Sequence, residues 1–201
     1  VDTRDRIVSS ARDVFREFGY EGTTNMRVAT HANLTRPAIN YHFTSKRELF
    51  RAVVDVNLAI LDEALTAAAV QPTLRDRLRA LITAGDRDPQ LRAATGFLTA
   101  ADLEYRRHPE LRADGRSVAS GLRRFLRASV AAAVESGEVR ADTDIQALVD
   151  ALHAVLSGIA FHAGAVPDSG RRHGRADTVM RLVTGEMFRR RADSDEPARL
   201  G

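Results

Sequence analysis

Cysteine is absent from the 201 residues, which excludes a disulfide framework and a thiolate metal site. Lysine is nearly absent: of 30 basic residues only Lys46 is lysine, and the other 29 are arginine. Long apolar runs are missing too. The longest largely apolar run, Ala64 to Val70, falls far short of the roughly 20 residues a membrane helix needs, so no membrane partner is expected. The N-terminus mixes Asp2, Arg4, Asp5 and Arg6 where a signal peptide has an apolar segment, and a cytoplasmic location is expected. No stretch alternates apolar and polar residues for long enough to make a strand, and no internal repeat is evident. Nucleophile elbows, phosphate-cradling glycine loops and H-E-x-x-H are all lacking. No catalytic residue, cofactor or metal is therefore expected, and an enzyme is the disfavoured reading. The net charge is only +3, although the pI is near 9.9. Any contact with nucleic acid must come from a local patch, because the bulk field is weak.

What is present is helical punctuation. Ile7, Val8, Ala11, Val14, Phe15 and Phe18 step by one, three and four, which predicts a helix over 3–18 with one apolar stripe. Gly19 stops it. Thr24 is placed to cap a short helix through His31, with Met26, Val28, Ala29 and Ala32 facing inward. Asn33 takes the turn, where positive φ is needed and asparagine tolerates it. Leu34 plugs the turn, Thr35 caps a third helix, and Pro37 sits in its first turn, where no helical N–H bond is lost. Ser45-Lys46-Arg47-Glu48 fits the S-x-x-E capping box, and a long apolar-faced helix follows up to Pro72. Further helices are predicted at 74–85, 90–107, 109–136, 143–164 and 172–191, with Thr143-x-x-Gln146 as a second capping box.

Two short helices across a tight turn, with a capped helix straight after them, are the layout of a helix-turn-helix DNA reader. Thr35, Arg36, Asn40, Tyr41 and His42 are too polar for a helix that exists only to pack. With Ala38, Ile39 and Phe43 partly or wholly inward, the polar face is free to enter a major groove. Arg36 suits a guanine or a phosphate, and Asn40 suits adenine. Lys46 lies in a helix first turn, where the macrodipole disfavours a cation unless an anion such as a phosphate docks there. The residues expected to meet double-stranded operator DNA are Thr24, Asn25, Thr35, Arg36, Pro37, Ala38, Asn40, Tyr41, His42 and Lys46.

The segment as a whole resembles the DNA-binding domain of TetR-type transcriptional regulators. The resemblance rests on FREFGYEGTT, on V-A-x-x-A from Val28, and on L-T-R-P-A-I-N-Y-H-F-x-S-K-x-x-L from Leu34 to Leu49. Two positions depart from it: Asn33 stands for the usual turn glycine, and Asn40 for the common tyrosine or tryptophan. The rest of the chain matches such regulators only in length and helical content. The resemblance implies an all-α protein with an N-terminal three-helix reader over 1–48 and a C-terminal helical bundle over 49–201. It also implies a homodimeric repressor, released from DNA by a small molecule.

Small residues crowd 117–136 and 143–164, which suits close helix packing in a four-helix dimer interface. Leu61, Phe97, Leu98, Tyr105, Phe125, His153 and Phe161 are the pocket candidates and point to a largely apolar effector. His153 reads better as a satisfied core histidine than as a cavity residue. His153 and His162 are nine residues apart and face opposite sides of a helix, while Glu104 and His108 at i, i+4 read as an ion pair. Arg171, Arg172, His173 and Arg175 read as a solvated cluster. The long helix from Lys46 starts at the reader and ends in the bundle, so it is expected to carry the signal between them. A DNA-binding architectural protein without a ligand is the remaining rival. The long C-terminal region argues against it, being larger than dimerisation requires.

Overall fold

The computed structural model describes residues 2–111, 118–165 and 175–187. Among these residues there are nine α-helices and no strand: α1 (Thr3–Gly22), α2 (Asn25–His31), α3 (Arg36–His42), α4 (Lys46–Ala69), α5 (Leu74–Arg87), α6 (Pro89–Arg107), α7 (Val118–Glu135), α8 (Ile145–Ala165) and α9 (Arg175–Val183). The all-α expectation holds. Arg171, Arg172, His173 and the tail from Ala192 lie outside the described residues.

The reader is built as the punctuation requires. Gly19 adopts φ 68 and ψ −179, which breaks α1 four residues before Thr23. Asn33 has φ 51, the one positive value at a non-glycine among the described residues. The turn it makes closes through Leu34 N–H donating to the Ala29 carbonyl at 2.8 Å. The Thr24 and Thr35 hydroxyls accept from the Arg27 and Ala38 N–H groups at 3.2 and 3.3 Å. Ile7, Val8, Val28, Ile39, Phe43, Leu49 and Phe50 close over one another as a shared apolar core. Two expected inward residues turn out otherwise. Met26 is 56% exposed and Phe18 41%, and the Phe18 ring instead carries the Arg27 guanidinium 4.2 Å from its centroid.

α4 runs unbroken from Lys46 to Ala69, so a division at residue 48 falls inside a helix. α4 then packs with α5, α6 and α7, while α6 lies along α8. Within the predicted helix over 109–136, Pro109–Leu111 is a single 3₁₀ turn and the described α-helix runs from Val118 to Glu135. Helix α8 is capped by Asp144, not Thr143. The Asp144 carboxylate accepts from Ala147 N–H at 3.0 Å, and Gln146 reaches Asp150 at 3.1 Å instead of turning back to the cap. Within the predicted helix over 172–191, α9 ends at Val183, where a turn follows with Gly185 at φ 75.

Helix α8 carries an unusual surface. Against the expectation drawn from Ala64–Val70, Ile145–His162 is long and apolar enough to cross a bilayer by length and composition, and only 17% of it is buried. Val149, Leu152 and Leu156 face the core, while Ala147, Ala151, Ala154, Val155, Gly158 and Phe161 face outward. Arg123 of α7 holds Asp150 at 2.6 Å and Arg127 holds Gln146 at 3.0 Å, so the α7–α8 hairpin is fixed by polar pairs beside this face.

Candidate nucleic-acid interface and effector cavity

Helix α3 separates its residues sharply. Ile39 is fully buried, while Tyr41 is 85% exposed. Arg36, Pro37 and Asn40 are exposed with Tyr41, and Ala38 and His42 are half-buried. The His42 ring meets the Tyr41 ring edge-on at 5.2 Å between centroids, which stiffens an otherwise free tyrosine. Asn25 reaches across from α2 and donates from Nδ2 to Asn40 Oδ1 at 2.8 Å. The structure therefore brings Asn25, Arg36, Asn40 and Tyr41 onto one surface. Thr24 and Thr35 already use their hydroxyls as acceptors in caps, but each keeps an O–H to donate.

The Ser45 hydroxyl caps α4 by accepting from Glu48 N–H at 3.1 Å. Glu48 reaches back one residue further than a capping box would. It accepts from both the backbone N–H and the hydroxyl of Thr44, at 2.8 and 2.7 Å. Those Thr44 bonds hold its carboxyl below the usual range. Lys46 is engaged within the chain. Its Nζ donates to the Tyr20 carbonyl at 2.9 Å and the Glu21 carbonyl at 3.4 Å, and lies 4.4 Å from the Tyr20 ring centroid. The single lysine thus bonds carbonyls in the last turn of α1, where Tyr20 also accepts from Thr23 N–H at 3.3 Å. The Glu21 carboxylate is also near, at 3.8 Å.

The same corner ties the reader to α6. Glu104 Oε1 accepts from Tyr20 N–H at 3.4 Å. His108 Nε2 stands 3.4 Å from Glu21 and 3.9 Å from Glu104, and its ring lies 5.3 Å from that of Tyr20. Burial chiefly, with Glu21 nearby, pushes the Tyr20 phenol up. Helix α4 is consequently not alone in spanning both regions, because α6 also ends on α1. No group of three or more histidines or carboxylates is spaced to hold a metal among the described residues.

An apolar cavity of about 70 Å³ lies between α4, α5, α6, α7 and α8. Leu61, Leu81, Ile82, Leu91, Leu122, Leu156 and Ile159 form its walls, with no aromatic ring among the lining residues. Its polar side is α6, where Arg92, Thr95 and Thr99 sit one turn apart, faced by Ser157 of α8. Arg92 donates to the Gly85 and Asp86 carbonyls at 3.3 and 3.0 Å, closing the end of α5. Thr95 and Thr99 donate back along their own helix at 3.2 and 2.9 Å, which leaves acceptor lone pairs toward the cavity.

Of the pocket candidates named from sequence, only Leu61 lines this cavity. Phe97 and Tyr105 are buried with rings 5.9 Å from Phe50, under the reader, and burial pushes the Tyr105 phenol up to about 12. Leu98 is fully buried in the core. Phe125 lines a separate groove with Asp62, Leu65 and Arg124. Phe161 opens onto a cleft with Asp13, Arg16 and His31. His153 is half-buried on α8, where desolvation first and the Arg123 charge second lower its pKa. The sequence signal that was missed is the 92, 95, 99 spacing on α6, a polar stripe on a helix enclosed by others.

These features define a helix-turn-helix reader joined to a helical ligand-binding bundle. Two family profiles match the chain: "Bacterial regulatory proteins, tetR family" over residues 7–53, and "Tetracyclin repressor-like, C-terminal domain" over residues 75–176. The chain belongs to the TetR family of DNA-binding transcriptional regulators. It is 28% identical over 158 residues to the HTH-type transcriptional repressor AcnR of Corynebacterium efficiens, covering 79% of this chain and 80% of that one. The TetR family regulator PfmR of Thermus thermophilus has the same fold with a TM-score of 0.72 at 25% identity, over 92% of this chain and all of that one. FadR of Bacillus subtilis, solved in complex with stearoyl-CoA, superposes with a TM-score of 0.66 at 16% identity, over 89% of this chain and 96% of that one.

Proposed function

We propose that the chain is a homodimeric repressor that binds a palindromic operator through α3 and leaves it when an aliphatic small molecule enters the cavity between α4 and α8. The observation that carries the DNA half is the division of α3: Ile39 is fully buried, while Tyr41 is 85% exposed beside Arg36 and Asn40. A solvated surface helix has no reason to hold an aromatic ring in water, whereas a groove contact does. Arg36, Asn40 and Tyr41 would meet base edges and phosphates. Thr24, Thr35, Pro37, Ala38 and His42 would line the approach, and Lys46 would take a phosphate as Glu21 swings away from it. Two readers are supplied by pairing the outward faces of α8, with α7 alongside, into a four-helix interface. DNA as the partner supports a cytoplasmic location.

The effector reading rests on the cavity walls. They are aliphatic, with hydroxyls and a guanidinium along one side, so they suit an extended acyl chain with a polar end better than a planar aromatic compound. At about 70 Å³ the cavity is well below the ~300–1,000 Å³ of small-molecule sites. A ligand must therefore part the helices that line it. Leu61 is on α4 and Thr95 and Thr99 are on α6, and both helices end at the reader. Widening the cavity moves the reader through both. The ligand leaves unchanged, since this is a binding event.

Anisotropy titration of a selected operator duplex, with saturated fatty acids and their CoA thioesters of increasing length, tests this. A chain-length optimum with a drop in DNA affinity of about 5–150-fold is expected. Recovered ligand should show no product by mass spectrometry. An equal effect of free coenzyme A, or none from any aliphatic compound, would sink the effector assignment and leave the DNA assignment standing.

A further inference from the structure

A carboxamide that reads a base has two edges: the oxygen accepts and the NH₂ donates. Which edge reaches the groove decides which base is favoured. Asn40 has its oxygen edge engaged. Its Oδ1 accepts from Asn25 Nδ2 at 2.8 Å, and Asn25 is itself half-buried at the first position of α2, behind a cap closed by Thr24 at 3.2 Å. The donor is thus anchored on a helix already fixed to the core by Val28 and Ala29, while Asn40 stands on the exposed face of α3, one residue before Tyr41. With the oxygen held, the NH₂ is the edge of Asn40 left free.

A free asparagine pairs with adenine by using both edges at once, taking N6–H on its oxygen and giving a hydrogen to N7. An asparagine whose oxygen is tethered offers donors. The base edge with two acceptors in the major groove is guanine, through N7 and O6, whereas cytosine and adenine present N–H₂ donors there. We infer that Asn25 is a positioning residue for base specificity: by holding the Asn40 amide donor-outward, it makes this regulator prefer guanine at the position Asn40 reads. The inference rests on α3 lying in the major groove.

The test compares base preferences, which cancel any uniform change in affinity. Random duplexes are selected on the wild-type dimer. The position read by Asn40 is then the one whose preference Asn40→Ala relaxes. Relative affinities for the four bases there are measured by anisotropy at one salt concentration for wild type, Asn25→Ala and Asn25→Asp. The Asp variant keeps the shape but only accepts, so Asn40 must turn its NH₂ inward and its oxygen outward. A carboxylate at a helix start is compatible with the fold, and circular dichroism confirms it. Wild type should favour guanine by about tenfold. Asn25→Ala should flatten that ratio, and Asn25→Asp should invert it toward cytosine or adenine. An unchanged order in Asn25→Asp, or a wild-type preference for a donor base, overturns the inference. So does the absence of any position relaxed by Asn40→Ala, if Tyr41→Ala still abolishes binding. Failure of wild type to enrich any duplex would instead strike the DNA reading itself.

Discussion

Replacing Gly19 by alanine should destabilise the protein by about 2–4 kcal/mol, from two separable causes. Gly19 sits at φ 68 and ψ −179, a region open to glycine and costing other residues ~1–3 kcal/mol. A Cβ there would stand 3.0 Å from Glu104 Oε1. Relieving that contact means swinging Glu104 away from the Tyr20 N–H it accepts from at 3.4 Å, a loss of ~0.5–1.5 kcal/mol for one net hydrogen bond. Glu104→Ala should show the loss of that bond, together with the Glu104 contacts to His108 and Arg107, without the backbone strain. Gly19→Ala placed on the Glu104→Ala background should cost less than it does in wild type, since the collision is gone but the backbone strain remains. Urea unfolding at fixed protein concentration measures all four corners of the cycle. Against a total stability of ~5–15 kcal/mol, the predicted loss is large. Gly19→Ala within ~0.5 kcal/mol of wild type would refute both the strain and the interdomain contact.

Three further outcomes follow from the geometry. Lys46→Met keeps the stem but removes the bonds to Tyr20 and Glu21. It should lower thermal stability and also reduce the log–log salt slope of operator binding by about 0.9 for one lost phosphate contact. Gly158→Trp should give monomers in sedimentation while circular dichroism stays helical, because a side chain at Gly158 meets nothing within 4 Å in the single chain. A dimer of unchanged strength would exclude this face. His153 has a pKa lowered from 6.5 by burial, so the unfolded chain takes up the proton first. Its contribution to stability should be complete above pH ~6.5 and be lost as pH falls below that, and His153→Phe should flatten denaturant midpoints across that window.

The reader was legible in the sequence because its constraints are local. Gly19, Asn33 and the Thr24, Thr35 and Ser45 caps each act within a few residues, and each adopts the backbone or hydrogen bond that its chemistry requires. What was not legible depends on distant partners. Nothing next to Lys46 shows that its ammonium lands on the Tyr20 carbonyl, 26 residues earlier. The apolar strength of Phe97 and Tyr105 marks them as buried, but whether they face a cavity or the ring of Phe50 is set by how α6 docks on α4. The cavity lining was hidden for the same reason: Thr95 and Thr99 look like surface threonines until α8 covers them. At α8, Asp144 outcompeted Thr143 as the cap by starting the helix one residue later, a choice between adjacent residues that spacing rules cannot make.

The central claim is that two copies of α3 read two half-sites of one duplex. Selection from random duplex DNA by the wild-type protein tests it most directly, with Arg36→Ala/Tyr41→Ala run in parallel as a folded, dimeric control. The account predicts enrichment of an inverted repeat whose half-site centres lie ~34–36 Å apart, one helical turn, or a multiple of that. It also predicts that the double variant loses that enrichment. No enriched sequence at moderate salt, or the same repeat recovered undiminished by the double variant, would contradict it.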